Sequence, residues 1–182
     1  MSSIEHVHPH PSRENVFGSN DVLSILRQRA WLTDGPTPEQ LVFCEHAALL
    51  LGPHADDSPG LEELLTLVFH YDAVEILQST DAHAVLSRYS ARDVLRELAF
   101  FLLQPTPFDS DRFKEVVTLL KNKLELRGRD LFYPLRLALA GRPGEGELDR
   151  VILLLDEAAP LPFAVSVKSA RTRIVEFCAS LD

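Results

Sequence analysis

Residues 121–148 read KNKLELRGRDLFYPLRLALAGRPGEGEL, and the architecture follows from how this stretch breaks into helices. Gly128 comes after a basic amphipathic run, where glycine ends a helix in a tight turn. Asp130 is placed to cap the helix that follows. Pro134 falls within that helix's first turn, where its missing N–H costs little. Leu131, Leu135 and Ala138 share one face, and Arg136 points away from it. Ala138 and Ala140 permit close helix approach, and Gly141 is placed to end the helix. Arg142–Gly146 then form a loop, with another helix starting near Glu147.

The same pattern extends in both directions. Upstream, Ser110 can cap a helix that turns Phe113, Val116, Val117, Leu120 and Leu124 inward. Ser90 and Asp93 resemble a capping box ahead of Val94, Leu95, Leu98, Phe101 and Leu102, and Pro105 and Pro107 end that helix. Val74–Leu77 and Ala82–Leu86 are short apolar pieces. Ser58-Pro59 opens a helix with Leu61, Leu64, Leu65 and Val68 on one face. Thr37-Pro38-Glu39-Gln40 reads as a capping box with proline at the first helical position. Asn20–Trp31 has helical spacing and stops at Gly35-Pro36. Downstream, Gly146–Ala158 and Ser169–Leu181 are helical. No stretch longer than five residues alternates cleanly, so the expected class is all-α, with about eight to ten helices.

Residues 1–18 read as a tail, 19–108 as an acidic helical subdomain and 109–182 as a second helical subdomain. The Pro105–Asp109 boundary is equally compatible with a corner inside one domain, 19–182. At 182 residues such a chain buries a core without staples. No apolar run reaches membrane-spanning length, and the N-terminus lacks a secretory h-region. Two cysteines far apart, Cys44 and Cys178, read as reduced thiols in a cytoplasmic protein.

Catalytic patterns are absent: there is no P-loop, dinucleotide fingerprint, HExxH or GxSxG. Asp56-Asp57 and Glu62-Glu63 read as solubilising pairs. Cys44 and His46 diverge on one helix, which speaks against a thiol nucleophile. His6, His8 and His10 alternate in a proline-containing segment that makes a poor metal site. No metal, cofactor or catalytic residue is expected.

Charge is unevenly placed. The chain carries −9 overall, yet Arg112–Arg142 holds eight basic and three acidic residues, a local +5 against −14 elsewhere. Such a window suits either a polyanion site or a solvated helix face.

The run Gly128–Arg142, GRDLFYPLRLALAGR, resembles the GK-x-L-F-x-P-L-R-x-A-L-T-G-R signature near the C-terminus of bacterial glutamyl-tRNA synthetases. A basic amphipathic helix before it, a Leu-rich helix after it and a final helix with Arg171 and Arg173 follow the same order. The resemblance implies the all-α anticodon-binding bundle of those class I enzymes, without their catalytic domain, HIGH or KMSKS motifs. It implies a non-catalytic domain that binds tRNA, specifically tRNA-Glu, and that acts beside a synthetase or another tRNA enzyme. Arg136, Arg142 and Leu148 would face the anticodon, while Lys121, Lys123, Arg127 and Arg129 would contact backbone. Departures are Ala140 in place of the threonine and acidic Glu145 and Glu147 in the loop, where like charge opposes phosphate. These favour an alternative, a degenerate paralogue serving as a protein-interaction or regulatory module.

Overall fold

A computed structural model describes residues 14–181 and shows ten α-helices and no strands among them. They are α1 (Ser19–Gln28), α2 (Pro38–Leu51), α3 (Ser58–Phe69), α4 (Ala73–Leu77), α5 (Thr80–Leu86), α6 (Ala91–Leu102), α7 (Ser110–Leu124), α8 (Arg129–Ala140), α9 (Gly146–Ala158) and α10 (Ala170–Leu181). The all-α expectation holds. The reading of His6, His8 and His10 lies outside the described residues. Residues 15–17, assigned to a tail by sequence, are attached to the body: Asn15 Nδ2 donates to the Ala48 carbonyl at 2.9 Å, and Phe17 packs against the core.

Caps explain most of the helix starts. The Thr37 hydroxyl accepts from Gln40 N at 3.1 Å while Gln40 Oε1 accepts from Thr37 N at 2.9 Å, completing the expected box. Elsewhere the acid next to the expected serine takes the role. Asp109, not Ser110, caps α7 by accepting from Arg112 N at 2.9 Å. Asp57 caps α3, accepting from Gly60 N. Ser90 makes no cap bond, because its backbone is already helical.

The largest correction falls at the α7–α8 turn. Helix α7 ends at Leu124, with Glu125 in the left-handed region, rather than at Arg127. Gly128 is the residue before α8, at φ 57° and ψ −137°, a conformation closed to residues with a Cβ. Helix α8 therefore starts two residues earlier than its apolar pattern indicates. Asp130 lies inside it and pairs with Arg88 at 2.6 Å instead of capping. Pro134 accordingly falls in the second turn, where it removes the bond that the Asp130 carbonyl would accept.

Helix α8 sits at the centre, and every residue from Pro134 to Ala140 is buried. It packs on α5, α6, α9 and α10, while α9 carries α2 and α3 on its other side. One cluster of buried apolar side chains runs from Val22 to Phe177, crossing the Pro105–Asp109 corner. That corner is fastened to α9: Asp156 accepts from Phe108 N and Ala170 N, both at 3.0 Å. Arg173 of α10 is fully buried and donates to the carbonyls of Leu67, Val68, Leu139 and Lys168 at 2.6–3.0 Å. The carbonyls at the last turns of α3 and α8 have no partners within their own helices, and this one guanidinium serves both. It lies 4.7 Å from the Tyr71 ring, and burial lowers its pKa to about 10, which leaves it charged at neutral pH.

Candidate nucleic-acid interface

The end of α7 and the start of α8 form a basic corner. Three of its cations, Lys121, Arg127 and Arg129, make no ion pair with any described residue. All three are exposed, and Lys121 and Arg127 line an open concavity of about 710 Å³ together with Asn122, Glu125 and Gly128. Glu125 is the one acid in that lining.

The adjoining face of α8 carries Arg129, Phe132, Tyr133 and Arg136, which share one side at helical spacing. Phe132 and Tyr133 are half-buried. Lys121 Nζ lies 5.6 Å from the Phe132 ring centre, Arg136 Cζ lies 4.5 Å from it, and Arg129 Cζ lies 5.5 Å from Tyr133. Cations over ring faces are held without losing their charge. These two rings escaped the sequence reading, which treated them as motif letters. The signal available was an aromatic pair inside a run of basic residues.

At the other end of α8 the expected contact residues are placed differently. Arg136 does not point outward: it is 8% exposed. Its Nε and Nη2 grip both carboxylate oxygens of Asp149, at 2.8 and 2.9 Å, and Nη1 donates to the Gly144 carbonyl at 2.6 Å. Three of its five N–H donors are thereby taken. It shapes the loop as a fork clamped on α9. Leu148 is fully buried beneath that loop, so it faces the core and not solvent. A Cβ at Gly144 would sit 2.7 Å from Leu148 Cδ1, which is why the loop needs glycine there. Arg142 reaches solvent but pairs with Glu63 of α3 at 2.7 Å, in a cleft also lined by Asp56, Asp57 and Glu147. Lys123 pairs with Glu97 at 2.7 Å and leans toward the Phe100 ring.

Cys44 is buried, and burial pushes its thiol up to about 11, so it stays protonated at neutral pH. His46 Nδ1 lies 2.7 Å from Glu157. Among the described residues no cluster of His, Cys, Asp and Glu is able to hold a metal ion. No helix there is long and apolar enough to cross a membrane.

Comparison with known proteins gives the family of the chain. A family model described as an anticodon binding domain matches residues 20–158, from α1 through the last residue of α9. A glutamate–tRNA ligase of Exiguobacterium sibiricum is 26% identical over 146 residues, 80% of this chain and 29% of that protein. Glutamate–tRNA ligase 2 of Syntrophus aciditrophicus is 36% identical over 77 residues, 42% of the chain and 16% of the ligase. Glutamate–tRNA ligase 1 of a Chelativorans species is 42% identical over 57 residues, 31% of the chain and 12% of the ligase. The chain thus matches less than a third of the length of these relatives. No solved structure matches it. The ten-helix bundle, its motif at α8 and the match over α1–α9 agree: the chain belongs to the anticodon-binding-domain family.

Proposed function

We propose that this domain binds tRNA, holding the anticodon arm against the basic α7–α8 corner and the outer face of α8, and does no chemistry itself. The observation that carries the reading is the trio Lys121, Arg127 and Arg129, without ion-pair partners among the described residues, beside the half-buried rings of Phe132 and Tyr133 in a member of this family. Unpaired cations release counterions when they meet phosphate. Rings and guanidinium planes take the unstacked bases of a loop. The named relatives are glutamate–tRNA ligases, so tRNA-Glu is the first RNA to test, in the cytoplasm where such ligases meet tRNA.

The roles proposed for Arg136, Arg142 and Leu148 differ from those read off the motif, while those of the other basic residues are kept. Lys121, Arg127 and Arg129 contact backbone, Lys123 contributes while sharing its charge with Glu97, and Arg136 positions the loop without touching RNA. Leu148 supports that loop from inside, and Arg142 is held back by Glu63. The test is a filter-binding titration of tRNA-Glu at two salt concentrations. Binding is expected to weaken by orders of magnitude between about 50 and 200 mM salt if six or more phosphates are contacted. No binding at the lower salt sinks the proposal. A second reading, a helical protein-interaction module beside a synthetase, draws on the acidic cleft around Arg142. A domain that ignores tRNA and binds a purified synthetase would establish it.

A further inference from the structure

Gln40 is 1% exposed, and it shares burial among the polar and charged side chains with Arg136 and Arg173, whose donors are spent on carbonyls and a carboxylate. Its Oε1 accepts from Thr37 N at 2.9 Å in the capping box of α2. That bond fixes the amide, with its oxygen toward the helix start and its nitrogen on the other side. Nε2 donates to no described residue. Every fully enclosed side-chain nitrogen or oxygen among the described residues has a partner. Nε2 is therefore not fully enclosed. The space that Gln40 lines is a cavity of about 350 Å³ between the α1–α2 loop and the α9–α10 loop.

Leu32, Pro162 and Phe163 give this cavity apolar walls, and Asp34 joins Gln40 in its polar lining. Its two loops are tied together, because Ala164 N donates to the Trp31 carbonyl at 2.7 Å. Phe163 stands edge-on to Phe43 and Phe69, with ring centres 5.4 and 5.0 Å away, and Trp31 stacks on Phe69 at 4.6 Å. Walls held in this way are set before a ligand arrives, which spares binding the entropy of ordering them. The volume falls at the lower end of small-molecule sites. The cavity shares no lining residue with the basic corner. Pro162 and Phe163 lie beyond residue 158, where the family match ends.

A nearly buried amide nitrogen that opens onto an apolar-walled space calls for an oxygen acceptor, since leaving its N–H groups unpaired is costly. Charge selects the kind of oxygen. Asp34 in the lining and Glu39 in the first turn of α2 already bring negative charge to that helix end, so a further carboxylate is opposed. We infer that this cavity binds a small uncharged ligand carrying a carbonyl oxygen on an apolar body. The oxygen accepts from Gln40 Nε2, and the apolar body lies against Leu32, Pro162 and Phe163. The inference goes beyond the RNA reading and does not rest on it.

The experiment is a nitrogen–proton correlation NMR titration of the full chain, in which the side-chain amide of Gln40 is observed directly. The probe is N,N-dimethylisovaleramide, which has a carbonyl acceptor, a branched apolar chain and no N–H of its own. Isovalerate, the same chain ending in a carboxylate, is the comparison. In wild type the Gln40 side-chain amide pair should shift saturably with the amide, with a dissociation constant on the order of 1 mM. Isovalerate should bind at least about threefold more weakly. Gln40→Glu keeps an oxygen for Thr37 N, in the manner of a common capping box, but loses the donors. It should weaken the amide at least about tenfold, with its thermal midpoint measured alongside. Gln40 side-chain resonances that stay still up to about twenty times that constant overturn the inference, whether or not the variant folds. Undiminished binding in a folded Gln40→Glu protein overturns it too. Isovalerate binding as tightly as the amide overturns the assignment of an uncharged ligand.

Discussion

The two ends of α8, about 18 Å apart at 1.5 Å per residue, are built in opposite ways from the same kind of residue. At the N-terminal end Lys121, Arg127 and Arg129 stand over rings or open space without a carboxylate partner. At the C-terminal end Arg136 is clamped by Asp149 and Arg142 is paired with Glu63. The first end has charge to offer a polyanion, and the second has largely spent it within the fold. An arginine in a motif therefore says little about what it touches until its acid is located.

The largest effect should come from breaking the clamp. Asp149→Ala leaves a nearly buried guanidinium without its counter-charge, and such losses cost about 3–5 kcal/mol. Urea denaturation should show a lower midpoint with an unchanged slope. A cost below about 1 kcal/mol would mean that the loop is held by packing alone. The apolar pair Arg136→Met with Asp149→Leu should recover much of the loss, because it removes both charges together.

The next effect separates the two ends by function. Replacing Lys121, Arg127 and Arg129 together with alanine should weaken tRNA-Glu binding about a hundredfold and flatten its salt dependence by about 2–3 in log–log slope. Arg142→Ala should change affinity by less than about threefold, since a surface ion pair already occupies it. Equal losses from both variants would erase the contrast.

Much of this was legible in the sequence, for identifiable reasons. Helices announced themselves through apolar spacing and through a capping box, as at Thr37 and Gln40, because both signals act within a few residues. The α7–α8 turn was misplaced because Gly128 serves as the residue before α8, and only its backbone angles reveal that. The direction of Arg136 depended on Asp149, thirteen residues away, and the state of Arg142 on Glu63, seventy-nine away. Leu148 rests as a contact residue on the resemblance alone, and it turns inward because Gly144, lacking a side chain, lets the loop pack over it. Nothing local records such pairings.

A smaller effect tests what shapes the favoured end. Gly128→Ala meets no atom within 4 Å, so its cost is conformational. Holding alanine at φ 57° and ψ −137° should destabilise the fold by about 1–3 kcal/mol, read by thermal unfolding. If the turn instead relaxes, α8 would begin later, Arg129 would leave Tyr133, and tRNA affinity would fall although no cation was removed. A variant with wild-type stability and wild-type affinity would show that the corner tolerates another turn.

The smallest expected effect asks whether the C-terminal end is closed or merely occupied. Glu63→Gln removes the partner of Arg142 and one negative charge from the cleft that also holds Asp56, Asp57 and Glu147. Stability should move by less than about 1 kcal/mol, because both side chains are substantially exposed. Affinity for tRNA-Glu should rise about two- to fivefold, the scale of one added phosphate contact at moderate salt. Removing a negative charge anywhere would raise affinity slightly, so the gain must be traced to the arginine. Adding Arg142→Ala to Glu63→Gln should abolish it. If the gain survives in the double variant, the released arginine is not its source, and this end of α8 plays no part in RNA contact. If it disappears, Glu63 holds Arg142 in reserve, and the difference between the two ends of α8 comes down to one carboxylate on α3.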